Sequence, residues 1–264
     1  MLLVCDIGNI NIDLGIYQDN DLKCTFRINS NANKTSDEYG IVLVDLINNF
    51  GIKKEDITGA IIASVVPDIM HSFTSCIIKY LNIEPLIVGP GIKSGVSIHY
   101  DNPKEIGADR IATCAGAISE YGNNLLIIDF STATTFEYID DSFNYKGGVI
   151  APGISVSIDA LSKKAAKLPN VEIKECDSVL ANDTVSAMQA GTYLGYLGMV
   201  EYLIDRFKKE TKTNLKVIAT GGIGKLFAKN SAKIDFYDSE LSFKGLKNIY
   251  YKNRKKDLWI IQKI

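Results

Sequence analysis

LLIIDFSTATTF, residues 125–136, is the stretch that decides the fold of this chain. An apolar run leads to one carboxylate, Asp129, and small hydroxylated residues follow before the chain becomes apolar again at Phe136. This pattern predicts a strand, a tight turn and a second strand, with an acid at the end of the first strand. A carboxylate there can hold a cation or a water, and the N–H and hydroxyl groups of the turn can bind phosphate oxygens.

A second stretch near the start of the chain, LLVCDIGNINIDLGIY at residues 2–17, has the same arrangement. Asp6 ends an apolar strand, a small polar turn with Gly8, Asn9 and Asn11 follows, and another apolar strand begins. The repetition predicts two similar halves, each contributing one acid-tipped hairpin to a shared cleft. Two buried hairpins that merely begin alike are the alternative.

Composition excludes several classes of protein. The chain has 264 residues, 46% of them hydrophobic, which is enough for one large domain or two lobes. The net charge of -2 does not favour nucleic acid as a partner. Five scattered cysteines and two histidines argue against a zinc site or a disulfide framework. We find no signal-peptide pattern and no apolar run of membrane-spanning length, so we expect a cytoplasmic protein with no membrane association.

The order of the predicted elements is that of an α/β protein. Thr35 and Glu38 have the spacing of a helix capping box, and Pro67 stands at a favourable first helical position. The pattern predicts strands at 2–6, 12–17, 23–29, 60–66, 85–88 and 215–219, and helices from 35 to about 51, 67–81, 108–121, 154–168 and 184–209.

The loop 89–107 is rich in glycine and proline and leads to Asp109 and Arg110 in the first turn of a helix. The helix dipole favours the carboxylate there but disfavours the cation. We therefore expect Arg110 to face an anion, which is either an internal acid or a substrate carboxylate. Long ordered loops of this kind are often functional.

Glycines are concentrated in two further segments, the predicted helix 184–209 and the run that begins at Thr220. Gly191, Gly195 and Gly198 lie within one helix at a cost of about 2–3 kcal/mol in helix propensity, so another surface must approach them closely. That surface belongs either to a helix of the same chain, which the pattern alone slightly favours, or to a second subunit. The run from Thr220 to Lys225 is not a Walker A loop, and it is either a nucleotide-binding turn or a purely structural one.

The turns after Asp6, after Asp129 and at Thr220 are suited to binding a nucleotide. The loop that contains Asp109 and Arg110 is suited to binding the substrate that accepts a phosphoryl group. Phosphoryl transfer needs alignment, cations that neutralise phosphate charge, and often a carboxylate that accepts the proton of the acceptor. No Ser–His–Asp set is recognisable, so covalent acyl chemistry is disfavoured.

The chain resembles the type III pantothenate kinases from Asp6 to about Asn253. The most specific run is GADR within YDNPKEIGADR (100–110). The other runs are DIGNINIDLG (6–15), ASVVP (63–67), DFSTATTF (129–136), GGVIAPG (147–153), ALSKKAAKLPNV (160–171), ATGG (219–222) and KGLKNIYYKN (244–253). The resemblance implies two similar halves of the actin, acetate and sugar kinase and heat-shock ATPase superfamily, which we place at 1–118 and 119–264, with a cleft between them.

The resemblance implies ATP-dependent phosphorylation of pantothenate to 4′-phosphopantothenate, the first step of coenzyme A biosynthesis. Asp109 resembles the general base, and Asp129 resembles the ligand of an activating monovalent cation, K⁺ or NH₄⁺. ATP, which is used with Mg²⁺, is expected at Thr132 and at the first hairpin, where Asp6 lies near the metal. That hairpin comprises Asp6, Ile7, Gly8, Asn9, Ile10, Asn11, Ile12 and Asp13. The implied pantothenate pocket comprises Tyr100, Gly107, Ala108, Asp109 and Arg110, with Thr184 reaching in from the partner of a homodimer.

Two positions depart from the family pattern, both on the nucleotide side. Ser131 replaces a usual glycine, and Ile10 replaces a usual serine or threonine. A serine at 131 would be unfavourable if that position needs a positive φ. A non-catalytic binding homologue with a degraded nucleotide site therefore stays open as an alternative. A kinase of the same superfamily that acts on another hydroxy acid or sugar is the third hypothesis.

Overall fold

The computed structural model describes residues 1–254. The chain divides into two compact units. Unit 1 consists of residues 1–120 and of the described residues from Glu240 onward, and unit 2 consists of Tyr121–Ser239. The sequence-based division at 118/119 differs at the C-terminal end, because it placed the residues from Glu240 onward in the second half.

Unit 1 is a five-stranded sheet in the order β3-β2-β1-β4-β5 with helices on both faces. Its elements are β1 (Leu2–Ile7), β2 (Asn11–Gln18), β3 (Asp21–Asn29), α1 (Ser36–Asn49), β4 (Gly59–Ser64), α2 (Pro67–Leu81), β5 (Leu86–Ile87), the short β6 (Ser97–Ile98), α3 (Ala108–Tyr121, the last residue of which falls in unit 2) and α7 (Leu241–Arg254). The capping box at Thr35 and Pro67 at the start of α2 are both confirmed.

The alternation of side chains along β1 determines on which face of the sheet Asp6 lies. Leu3 and Cys5 pack in the cluster that includes Tyr39 of α1 and Phe73 of α2. Val4 packs on the opposite face, in the cluster that includes residues of α3 and α7. Because successive side chains alternate across a strand, Asp6 lies on the α3 and α7 face.

Unit 2 has the same strand arrangement, with the order β11-β10-β7-β8-β9. Its elements are β7 (Leu125–Phe130), β8 (Ala133–Ile139), β9 (Asn144–Pro152), α4 (Ile154–Lys164), α5 (Thr184–Thr211), β10 (Lys216–Thr220), α6 (Gly224–Asn230) and β11 (Phe236–Tyr237). The predicted helix from 154 to 168 is wrong at its end, because it stops at Lys164.

The internal repetition seen in the sequence is present in the topology. In each unit the first strand pairs antiparallel with the second and parallel with a later strand, β4 in unit 1 and β10 in unit 2. Asp6 and Asp129 are each the fifth residue of a six-residue strand whose other five residues are buried. The two acids therefore occupy equivalent positions in two similarly built units.

The last described helix, α7, returns to unit 1 because it packs on β1 and β4. It crosses α3 backbone to backbone at Gly116 and Gly245. A Cβ atom on Gly116 would lie 2.0 Å from the carbonyl oxygen of Leu241, and one on Gly245 would lie 1.8 Å from that of Ala112. This close approach of α3 and α7 therefore needs glycine on both helices.

In the described part of the chain, no helix combines the length and the apolar character that crossing a membrane requires. The predicted solvated charge run and docking strand of the C-terminal tail, from Lys255 onward, lie outside the described residues.

Candidate active site

In unit 1, two acids of the first hairpin lie directly opposite each other, since Asp6 of β1 pairs with Asp13 of β2. Burial raises the pKa of Asp6 from 3.8 to about 7, the charges of Asp109 and Asp13 add to the rise, and a hydrogen bond from Ser242 opposes it. Asp6 therefore has two other carboxylates, those of Asp109 and Asp13, within electrostatic reach.

Asp109 lies in the first turn of α3, as the sequence predicted. The backbone N–H of Arg110 donates to Asp109 Oδ1 at 2.7 Å. Gly107 leaves room for this carboxylate, because a Cβ atom there would lie only 2.3 Å from Asp109 Oδ1. Asp109 is partly exposed, so its carboxylate can meet a substrate hydroxyl.

The turn between β1 and β2 is held from β3 by a residue that the sequence reasoning missed. Ser30 Oγ donates to the carbonyl oxygen of Gly8 at 2.5 Å, and the Ser30 N–H donates to that of Ile10 at 2.9 Å. Within residues 1–254, we find no acceptor for the backbone N–H of either Asn9 or Ile10, and both residues are exposed. These amides are suited to phosphate oxygens.

Two further residues beside the acids were also missed. Arg27 Nε contacts Asp13 Oδ1 at 2.5 Å. Asn20 lies between the predicted strands 12–17 and 23–29, and Asp13 and Arg27 are each seven residues from it, so counting outward from Asn20 would have paired them. Ser242 donates a hydrogen bond to Asp6, but it comes from α7, at the other end of the chain, and no local signal indicates it.

In unit 2, Asp129 lies beside a turn that has no room for a side chain. Gly221 has a φ of +86°, and a Cβ atom there would lie 2.7 Å from Asp129 Oδ1 and 2.4 Å from the carbonyl oxygen of Phe130. Tyr237 supports this turn by donating to the carbonyl oxygen of Gly221 at 3.1 Å. Two oxygens thus converge beside Gly221, in a cradle that a side chain would fill.

The turn after Asp129 accommodates its serine. Ser131 does not have a positive φ, and its N–H and its hydroxyl both donate to the carbonyl oxygen of Ala133 at 3.1 Å. The N–H of Gly153 donates to the carbonyl oxygen of Thr132 at 3.1 Å. Ser131 and Thr132 are both exposed, so serine at 131 does not damage this turn.

The structure places the remaining predicted substrate residues separately. Tyr100 is exposed in the loop before α3, and Ala108 and Arg110 begin that helix. Thr184 is exposed at the start of α5, directly after the cap that Asp183 provides by accepting from the N–H of Ser186. Their roles in binding pantothenate stay predictions.

The glycines of α5 do not serve packing within the described chain. Cβ atoms on Gly191, Gly195 and Gly198 would have no atom of residues 1–254 within 4 Å, and all three glycines are exposed. The preference for a helix of the same chain against this surface is therefore wrong for the described residues. Tyr202 lies on the same side of the helix and is 62% exposed, so the surface is both smooth and partly apolar.

The family model described as "Type III pantothenate kinase" matches residues 2–206 of this chain. The type III pantothenate kinase of Geobacillus kaustophilus (strain HTA426) is 49% identical over 256 residues, covering 97% of this chain and 99% of the relative. That of Geobacillus thermodenitrificans (strain NG80-2) is also 49% identical, with the same coverage. The chain belongs to the type III pantothenate kinase family.

A more distant solved structure supports the fold of this type III pantothenate kinase family member. The activator of the 2-hydroxyisocaproyl-CoA dehydratase from Clostridium difficile, solved with bound ADPNP, has a TM-score of 0.55 and 13% identity. The match covers 98% of this chain and 96% of that protein. The fold is that of the actin-like ATPases and sugar kinases, as the resemblance implied.

Proposed function

We propose that this chain phosphorylates pantothenate at the expense of ATP, with Asp109 as the general base. The observation that carries the proposal is the position of Asp109, which begins α3 within electrostatic reach of Asp6 and beside Gly107. A base and a phosphate-side acid in the same unit are what phosphoryl transfer to a hydroxyl needs.

The reaction then follows from the positions of these residues. The pantothenate hydroxyl oxygen attacks the γ-phosphorus of ATP, and its proton goes to the Asp109 carboxylate. The new O–P bond forms as the bond between the γ-phosphorus and the β,γ-bridging oxygen breaks, and ADP leaves. Arg110 and Tyr100 are proposed to orient pantothenate, and Gly107 and Ala108 are proposed to let it approach the base.

Mg²⁺, when bound with ATP, neutralises phosphate charge. The residues present fit it, since Mg²⁺ in kinases is commonly held by one or two carboxylates and the phosphates, and Asp6 at the end of β1 can supply one carboxylate. The exposed amides of Asn9 and Ile10 are proposed to bind phosphate oxygens. Thr132 is also proposed as an ATP contact. Ile10 contributes no hydroxyl, but its backbone N–H stays usable.

A monovalent cation, K⁺ or NH₄⁺, is proposed at Asp129. The residues fit a hard cation, because Asp129 Oδ1 and the carbonyl oxygen of Phe130 converge beside Gly221, where no side chain intervenes. The cation would supply positive charge on the nucleotide side, and Asp129 and the turn residues would hold it.

A homodimer through the glycine surface of α5 is also proposed, with Thr184 of one subunit completing the pantothenate site of the other. Support comes from the exposed face of Gly191, Gly195 and Gly198, which a helix of a second copy can approach closely.

The test is ADP release by the purified protein with ATP, Mg²⁺ and pantothenate, first in K⁺ and then in Na⁺. Pantothenate-dependent turnover that falls when K⁺ is removed is expected. Equal turnover in K⁺ and in Na⁺ would contradict the proposed cation site at Asp129, but it would still support the proposed kinase activity. No ADP release in either salt, with pantothenate binding retained in calorimetry, would favour the non-catalytic homologue.

A further inference from the structure

A row of three charged side chains crosses the first sheet of unit 1. Asp6 of β1 pairs with Asp13 of β2, and Asp13 pairs with Arg27 of the edge strand β3. Directly opposite residues in an antiparallel pair point to the same face, so the row reads acid, acid, base along one surface.

Within this row, the positive charge of Arg27 compensates the charge of Asp13 but not that of Asp6. Arg27 Nε is 2.5 Å from Asp13 Oδ1, and the Asp13 carboxylate raises the pKa of Arg27. Asp6 has no such cationic partner among the groups that shift its pKa, which are acids and a serine hydroxyl. Arg27 therefore compensates Asp13 and leaves Asp6 as the acid available to a metal.

The ion pair is not explained by stability. The side chains of Arg27 and Asp13 are 58% and 33% exposed, and ion pairs with that exposure contribute little to folding. An uncompensated Asp13, by contrast, would place a second negative charge beside the turn where a polyanionic nucleotide is proposed to bind, which would weaken binding.

We propose that Arg27 is a positioning residue for nucleotide binding, which holds Asp13 and cancels its charge so that the first hairpin can accept the phosphates of ATP. The inference rests on the proposed phosphate role of that hairpin. Ser30, one residue beyond the end of β3, donates to two carbonyl oxygens of the same turn, so Arg27 and Ser30 both support this hairpin.

The experiment is a double-mutant cycle with Arg27→Gln, Asp13→Asn and the double variant, read out as KM for ATP, KM for pantothenate and kcat. Arg27→Gln is expected to raise the KM for ATP about fivefold or more while the KM for pantothenate stays within about twofold. Because Arg27 acts through Asp13, the double variant should match Asp13→Asn within about twofold. Arg27→Lys should restore part of the loss.

Lys23→Gln is the matched control, since Lys23 is an exposed cation of the same strand, paired with Asp21 at 3.5 Å. Melting curves check that each variant is folded. An unchanged KM for ATP in Arg27→Gln, or effects that multiply in the double variant, would overturn the inference. An Asp13→Asn variant and a double variant that both keep the wild-type KM for ATP would support it, because the charge that Arg27 cancels is then absent. No pantothenate-dependent ADP release by the wild type would instead contradict the proposed function.

Discussion

The Cα atom of Gly107 lies so close to the Asp109 carboxylate that a Cβ atom would be 2.3 Å from Oδ1. Gly107→Ala should therefore displace the carboxylate rather than unfold the chain. We expect kcat to fall about 100-fold, because a misplacement of about 1 Å costs that much in an oriented reaction. Steady-state kinetics of the wild type and of Gly107→Ala measure this change in kcat.

Gly89→Ala is the matched control for this variant, because a Cβ atom at Gly89 would meet nothing within 4 Å among the described residues. It should keep wild-type kcat. Equal activity of the two alanine variants would mean that the position of the Asp109 side chain is not limiting.

Asp109→Asn keeps the size of the side chain but cannot accept the substrate proton. We expect kcat to fall by about 10²- to 10⁴-fold, the usual contribution of a general base, with the melting temperature unchanged. Glu120→Gln, an exposed acid on the same helix, is the control. Near-normal turnover of Asp109→Asn would remove Asp109 from the role of base.

The raised pKa of Asp6 predicts that the stability of the metal-free protein depends on pH. The folded protein holds this proton up to about pH 7, whereas the unfolded chain releases it near its ordinary value of 3.8. Between these values the folded state binds more protons, so the contribution of Asp6 to stability falls as pH rises to about 7 and is then constant.

Asp6→Asn removes this titration. The melting temperature of the variant minus that of the wild type should therefore increase between about pH 4 and about pH 7, and then level off. Asp21→Asn, which changes an exposed acid of β3, is the control. A constant difference across the range for Asp6→Asn would show that Asp6 titrates normally.

Gly221→Ala tests the turn beside Asp129. Alanine would adopt the φ of +86° with strain, and its Cβ atom would lie 2.4 Å from a carbonyl oxygen. We expect a loss of about 1–3 kcal/mol in the free energy of unfolding and weaker activation by K⁺.

Gly222→Ala controls for the neighbouring position, since it has no positive φ and open space around its Cα atom. Stability is measured by denaturant titration and activation by titrating K⁺. If Gly221→Ala kept the wild-type response to K⁺ while folded, the cation would not bind in the cradle beside Gly221.

Gly195→Glu tests the proposed dimer surface. A charged side chain on the exposed glycine face of α5 should prevent close approach of a second helix, so light scattering should show a shift from dimer to monomer. Ala232→Glu, at an exposed position in the loop before β11, should leave the mass unchanged. A dimeric Gly195→Glu protein would place the interface elsewhere.

Much of this fold is readable from local sequence. The hairpins at Asp6 and Asp129 were predicted because an apolar run, an acid and a polar turn follow one another within a few residues. The start of α3 was predicted because glycine and proline precede a regular helical pattern, and Asp109 was found with it. The glycine face of α5 was also predicted, but the slight preference for a helix of the same chain against it was wrong for residues 1–254.

The sequence by itself determined the two acid hairpins, the acceptor loop and the family, because each is a short-range pattern whose residues are neighbours in the chain. Tertiary structure alone decided that α7 returns to unit 1, that Gly245 meets Gly116, and that Ser242 reaches Asp6. These contacts join the two ends of the chain through backbone packing, and hydrophobic periodicity does not specify which distant helix will fill a face.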